Sequence, residues 1–241
     1  MNGERKATSP WVYVAAGCGG ILVLGVVALA LLGYGAFRFG KQIEKDLKDP
    51  ATRAAQVKAV LGTDTLPDGY HPMIGLSIPL MMDMAMLTDR EPGPDGKPRG
   101  PGERGFVYVR VLGGDADERE LRDYFEGRTT DDSVLRRHKL DVHVRDQEVI
   151  RRGVVQTNGY SVLYLAQRGA LQMHEGRTRG VNDLLLVDCP EDKRMRMGIW
   201  FGPDPDPETP VATANFEGTP ADETALTAFL GHFHLCPRST R

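Results

Sequence analysis

Trp11–Phe37 runs for 27 residues without a charge. As a helix rising ~1.5 Å per residue it reaches about 40 Å, more than the ~30 Å hydrocarbon core of a bilayer. Lipid offers no partner for a bare backbone amide, so a helix is the form in which one segment crosses. Trp11 and Tyr13 at one end and Tyr34 at the other suit the two membrane interfaces. The run exceeds the apolar core of a cleaved secretory signal. Ala15-Ala16-Gly17-Cys18 has the form of a lipobox, yet 19 more uncharged residues follow Cys18, where a lipidated chain would begin a polar tether. The sequence therefore predicts a tail at 1–10 and a single-pass signal-anchor helix at 11–37, with the bilayer as its partner. Ala15 and Gly19, like Ala16 and Gly20, lie four apart on one helix face. Small residues at that spacing let two spans approach closely, so the anchor is also a candidate homodimer seam.

Two signals bear on orientation and they disagree. Arg5 and Lys6 precede the span, whereas Arg38, Lys41, Lys45 and Lys48 follow it. Positive charge tends to stay in the cytoplasm, which argues for a cytoplasmic C-terminal part, although long domains translocate despite it. Beyond the span stand two cysteines, Cys189 and Cys236, each followed by proline. A bond between them would close a long loop, stabilise by about 4 kcal/mol in the entropic model, and persist only in an oxidising compartment. The alternative is two buried thiols. The expectation adopted is an extracytoplasmic soluble domain with Cys189–Cys236 as its candidate disulfide.

The soluble part divides into a helical neck at 38–62 and an α+β domain at 63–241. Asp49-Pro50 has the chemistry of a helix start and Gly62 that of a stop. Ile74, Leu76, Ile78, Leu80, Met82, Met84 and Met86 are apolar at every second position, which marks one face of a sheet. Pro79 interrupts that run, predicting a bend or break there and a place at the sheet edge. Residues 88–105 and 202–220 are rich in proline and read as flexible loops. Phe106–Leu112 is a strand by its β-branched and aromatic content, and Asp115 with Glu118 forms a capping box before Leu121, Tyr124 and Phe125.

Leu140, Val142 and Val144 alternate with polar residues as in a half-exposed strand. Asn158-Gly159 is a hairpin turn between two β-rich runs. Asp183–Cys189 and Arg194–Phe201 make a further pair. Thr219-Pro220 is the expected start of a last helix whose Leu226, Phe229, Leu230 and Phe233 share a face. Short turns favour antiparallel pairing. The expected architecture is a mainly antiparallel sheet with helices packed on one face.

Chemistry is sparse. Thirty Lys and Arg against 33 Asp and Glu leave a net charge of −3, too balanced for a dedicated nucleic-acid binder. The sequence lacks a phosphate loop, a nucleophile elbow, a dinucleotide fingerprint and a paired-histidine zinc motif. Met82, Met84 and Met86, with Met73 and Met81 nearby, are candidate soft ligands for copper, or else flexible core filler. His232, His234 and Cys236 share a face only if extended, which would suit zinc. Asp204, Asp206 and Glu208 alternate with prolines and have no glycine turn to wrap calcium. His71, His138, His143 and His174 are isolated, and the basic clusters Arg136–Lys139 and Arg177–Arg179 read as solvated faces.

The expectation is a membrane-anchored α+β domain that binds an unidentified protein or small molecule, without a cofactor and without nucleic acid. A membrane-anchored hydrolase and a methionine-rich copper binder are the alternatives.

Overall fold

The computed structural model describes residues 49–93, 102–113, 115–129, 131, 133–134, 143–173, 176–190, 192 and 194–237. Among them no helix is long and apolar enough to cross a membrane. The run Trp11–Phe37, with Ala15, Ala16, Cys18, Gly19 and Gly20, lies outside the described residues.

Helix α1 (Pro50–Leu61) begins where the Asp49 carboxylate accepts the Thr52 N–H at 2.9 Å. It ends at Gly62, whose φ of 63° only glycine adopts without strain. Two strands follow, β1 (His71–Ile78) and β2 (Met82–Thr88), then β3 (Gly105–Leu112). Helix α2 (Asp115–Phe125) precedes a second run of strands: β4 (His143–Thr157), β5 (Tyr160–Met173), β6 (Gly176–Asp188) and β7 (Arg194–Gly202). Helix α3 (Glu223–Leu230) closes the fold. Among the described residues all pairing is antiparallel, in one seven-stranded sheet of order β1-β2-β3-β7-β6-β5-β4. Two meanders are thus joined where β7 returns beside β3, and the link from β3 to β4 carries α2 across the sheet.

The alternating run around Pro79 is a hairpin. Proline has no N–H to give a ladder. The chain turns through Pro79–Met81, with Met81 N–H on the Ile78 carbonyl at 3.0 Å and Ile78 opposite Met82. Leu80 takes φ 64°, a strained value for leucine. At the other hairpin, Asn158 and Gly159 take φ 46° and 82°, as a primed turn requires.

The expectation of helices on one face is corrected by the structure. Helices α1 and α3 cover one face, over Ala85, Leu87, Phe106, Tyr164, Leu185 and Trp200. The opposite face, with Leu163, Leu165, Leu184, Leu186, Met197 and Ile199, packs on Leu121, Tyr124 and Phe125 of α2. Residues 162–170 of β5 and 195–202 of β7 are buried without interruption. A strand apolar on both sides must be covered on both sides.

The expected start of the last helix also moves. Thr219 turns its hydroxyl onto the Phe216 carbonyl, and Asp222 is the cap instead, accepting the Thr224 N–H at 2.9 Å. The face of α3 and the segment after it stack aromatics onto the sheet: Phe229 of α3 lies parallel to Trp200 at 4.4 Å between centroids, and Phe233, which lies past the end of the helix instead of on its face, is parallel to Phe106 at 5.4 Å. The Trp200 indole N–H donates to Tyr70 Oη at 2.8 Å.

Gly75 of β1 sets how closely α1 approaches. A Cβ there would lie 2.7 Å from the backbone nitrogen of Val57 and 2.8 Å from Cβ of Gln56. Gly75→Val is therefore expected to push α1 off the sheet and destabilise by about 1–3 kcal/mol, as overpacking does. Chemical denaturation checks it, with Gly159→Ala at the turn as a comparison, where strain comes from φ 82° and not from a neighbour.

Candidate functional site

Two groups of polar side chains stand out on the α3 face. The first lies at the Cys189 end of the sheet. Ser77, Asp83, Arg110 and Arg196 occupy one register row across β1, β2, β3 and β7. Arg110 Nε donates to Asp83 at 2.7 Å, and the Ser77 hydroxyl donates to the same carboxylate. Burial opposes ionisation of Asp83, but these two partners bring its carboxyl below its ordinary value.

Arg196 is fully buried. Its guanidinium donates to the carbonyls of Leu235 at 3.1 Å and Arg194 at 2.8 Å and to the Asp192 carboxylate. A buried cation needs such a full set of partners. Arg194 also donates to Asp192 at 2.8 Å, and chiefly this bond, with Arg196, holds the carboxyl far below the usual range.

These residues fasten the segment after α3. Tyr160 Oη and Asn158 Nδ2 donate to the Phe233 carbonyl at 3.0 and 2.7 Å, and His234 N–H donates to Leu61 O at 3.1 Å. Cys236 is bonded to Cys189, with Cα atoms 5.6 Å apart. This bond takes the sulfur that zinc would need. His232 and His234 are exposed; His232 lies in the turn that ends α3 and His234 beyond it, outside the helix.

The second group surrounds the start of α3. A groove of about 660 Å³ is lined by Arg151 of β4 with Asp222, Glu223 and Thr227. It adjoins a smaller cavity of about 280 Å³ that shares Arg151 and Asp222. Asp222 also accepts the Gly218 N–H at 2.9 Å, which with its other backbone bonds lowers its pKa. Tyr164 Oη donates to Glu223 at 3.0 Å, and burial foremost, then Glu223, pushes the phenol up to about 12.

Asp183 lies on the same face, in register with Ala166 and Trp200. It is 0% exposed, and neither carboxylate oxygen has a hydrogen-bond partner among the described residues. Burial drives its pKa well above the ordinary value, since ionisation in an apolar core is costly.

The other sequence candidates are held apart. Met82, Met84 and Met86 do not point to the buried face of β2, which is Asp83, Ala85 and Leu87. They stand half-buried on the opposite face, opposite Ile78, Leu76 and Ile74 of β1 and Val111, Val109 and Val107 of β3. Met73 is buried and Met81 exposed.

Asp204 pairs with Arg168 at 2.7 Å, while Asp206 offers Arg168 its carbonyl at 3.0 Å. Arg168 also donates to Thr209 O at 2.6 Å and lies 5.3 Å from the centre of the Phe216 ring, so it anchors the proline-rich 203–210 connection. Among the described residues no three His, Cys, Asp or Glu side chains gather to hold a metal. His138 and His174 lie outside those residues, and His143 opens β4. Asp183, Arg168 and Arg196 were legible only as charges standing at core-parity positions of their strands.

The chain matches no known family and no curated protein.

Asp183 and Asp192 act on stability with opposite signs. The pKa of Asp183 is raised by folding, so its contribution is fully present below about pH 4 and is lost as pH rises through the raised value. The pKa of Asp192 is depressed, so its contribution holds above about pH 4 and is lost as pH falls. Thermal unfolding from pH 3 to pH 9 should show Asp183→Leu flattening the alkaline side and Asp192→Asn the acid side. A wild-type profile unchanged on its alkaline side by Asp183→Leu would refute the assignment.

Proposed function

We propose that this is a single-pass membrane protein that holds an α+β binding domain on the oxidising side of the bilayer and performs no covalent chemistry. The uncharged run Trp11–Phe37 supports the anchor, being long enough to span. The observation that carries the compartment is the Cys189–Cys236 bond, which joins the strap after α3 to the end of β6. Such bonds are rare where glutathione and thioredoxin keep thiols reduced.

The binding reading rests on how the charged groups are engaged. Asp222 caps a helix, Glu223 receives Tyr164, Asp204 holds Arg168, and Asp192 pairs with both Arg194 and Arg196. A hydrolase needs a nucleophile, a base and a stabiliser converging on one point. The groove beside Arg151 offers a surface for recognition without that convergence. The methionines of β2 face aliphatic side chains across both neighbouring strands, which supports packing over copper ligation.

The test labels the full-length protein in intact cells with a membrane-impermeant thiol reagent. Cys236 is expected to react only after reduction, and the unprocessed chain to sediment with membranes and leave them only in detergent. Labelling that requires lysis of the cells, or full-length protein in the high-speed supernatant, overturns the proposal. Anchor pairing through Ala15, Ala16, Gly19 and Gly20 predicts an oxidative Cys18–Cys18 dimer in those membranes.

A further inference from the structure

We propose that β1 is a self-pairing edge, through which two copies of this chain join their sheets into one about a two-fold axis at Leu76. This goes beyond the anchor and does not depend on it.

Strand β1 bonds to β2 alone among the described strands, so alternate backbone groups on its outer side are left without a strand. An edge of this kind is completed by another extended segment and by nothing else of regular structure. Natural edges are usually blunted by charge, proline or a bulge. Here Pro72 and the irregular register between Pro72 and Ile74 blunt only the first part of the strand. From Ile74 to Ile78 the edge bears no charge.

The order of residues along that stretch names the partner. Ile74, Leu76 and Ile78 are symmetric about Leu76 and share one face of the sheet. Antiparallel pairing of β1 with its own copy sets Ile74 opposite Ile78 and Leu76 opposite Leu76. A closed two-fold interface requires such a self-complementary patch. The half-buried rows on this face, Ile74–Met86–Val107 and Leu76–Met84–Val109, then run on into the second copy without a break. Ile74, Leu76 and Ile78, half-buried in one copy, thereby gain directly opposed apolar neighbours.

The same register accounts for two more features. Leu80, at the hairpin tip, is 90% exposed and strained at φ 64°, an unfavourable combination for a leucine with no role. Met81 beside it is 65% exposed, and Leu112, whose N–H reaches the Met81 carbonyl, is 67% exposed. With the register shift between Pro72 and Ile74, pairing about Leu76 carries Leu80 of one copy to the level of His71, beside Pro72, of the other. Pro72 lines a cavity of about 410 Å³ with Pro50, Arg53, His71, Glu91 and Pro92. The open edge, the projecting leucine and the cavity are so placed that one symmetric contact uses all three, and the two-fold repeats the leucine-to-cavity contact at both ends.

The test uses the full-length chain in detergent with Cys18→Ser, which leaves only the bonded pair Cys189–Cys236. Differently tagged copies carrying Ile74→Cys and Ile78→Cys are co-expressed and mildly oxidised. A mixed 74–78 dimer is expected, and Leu76→Cys is expected to crosslink to itself. Ile74→Cys alone is expected to crosslink poorly, because its two copies lie about four residues apart along the strand, ~13 Å, beyond disulfide reach.

A 74–74 dimer stronger than the mixed one, crosslinking through Val154→Cys on the opposite edge strand β4, or no crosslink at all overturns the proposal. In the Leu76→Cys background, Leu80→Asp changes an exposed tip and leaves the fold intact. It is expected to weaken dimerisation about tenfold or more, the loss of one buried leucine per copy. Undiminished crosslinking overturns the tip-to-cavity contact. Sedimentation of the same samples with or without membranes reads the anchor separately, so the two proposals fail independently.

Discussion

The constraint that organises this domain is that its central strands are apolar on both sides. Leu163, Leu165, Leu184 and Leu186 face one way, and Val162, Tyr164, Leu185 and Val187 face the other. Neither set can be left in water, since each large aliphatic side chain left exposed costs about 1.5–3 kcal/mol. The chain therefore delivers α2 to one face by the long link from β3 to β4, while α1 and α3 close the other. Where the helices stop, coverage stops. On the α2 side, β1 and the methionines of β2 remain half-buried.

Charge is used within this frame as a fastening. Arg196 replaces the water it gives up with two carbonyls and Asp192, and one of those carbonyls belongs to Leu235. The tail after α3 is thus tied to β7 by the same group that β7 needs to neutralise, and the Cys189–Cys236 bond ties it to the end of β6. Arg168 does the same for the proline-rich connection at 203–210. Asp183 is the exception: a buried carboxyl with no partner among the described residues, which folding keeps best in its protonated form.

Much of the local structure was legible because it rests on local chemistry. Asp49 and Gly62 bound α1, Asn158-Gly159 turns the β4–β5 hairpin, and the Asp183–Cys189 and Arg194–Phe201 runs pair as β6 and β7. The errors share one cause. Alternation shows that residues share a face, but not which face is covered. The evenly spaced apolar run 74–86 marks one face of the sheet, whereas α1 lies on the other, over Gly75 and Ala85, where small residues let a helix backbone come close. Likewise Thr219-Pro220 has good start chemistry, but Asp222 stands where Leu226 and Phe229 can still reach the sheet.

The sequence by itself determined an uncharged run long enough for a bilayer, an antiparallel α+β class, the caps of α1 and the turn of the β4–β5 hairpin. Each of these follows from hydropathy or from backbone preferences acting within a few residues. Only the tertiary structure decided that helices cover both faces, that Cys189 meets Cys236, that Asp204 is held by Arg168, and that Asp183 is sealed in the core. Those outcomes bring together groups tens of residues apart, and they depend on which packing buries the most apolar surface while giving each buried charge a partner.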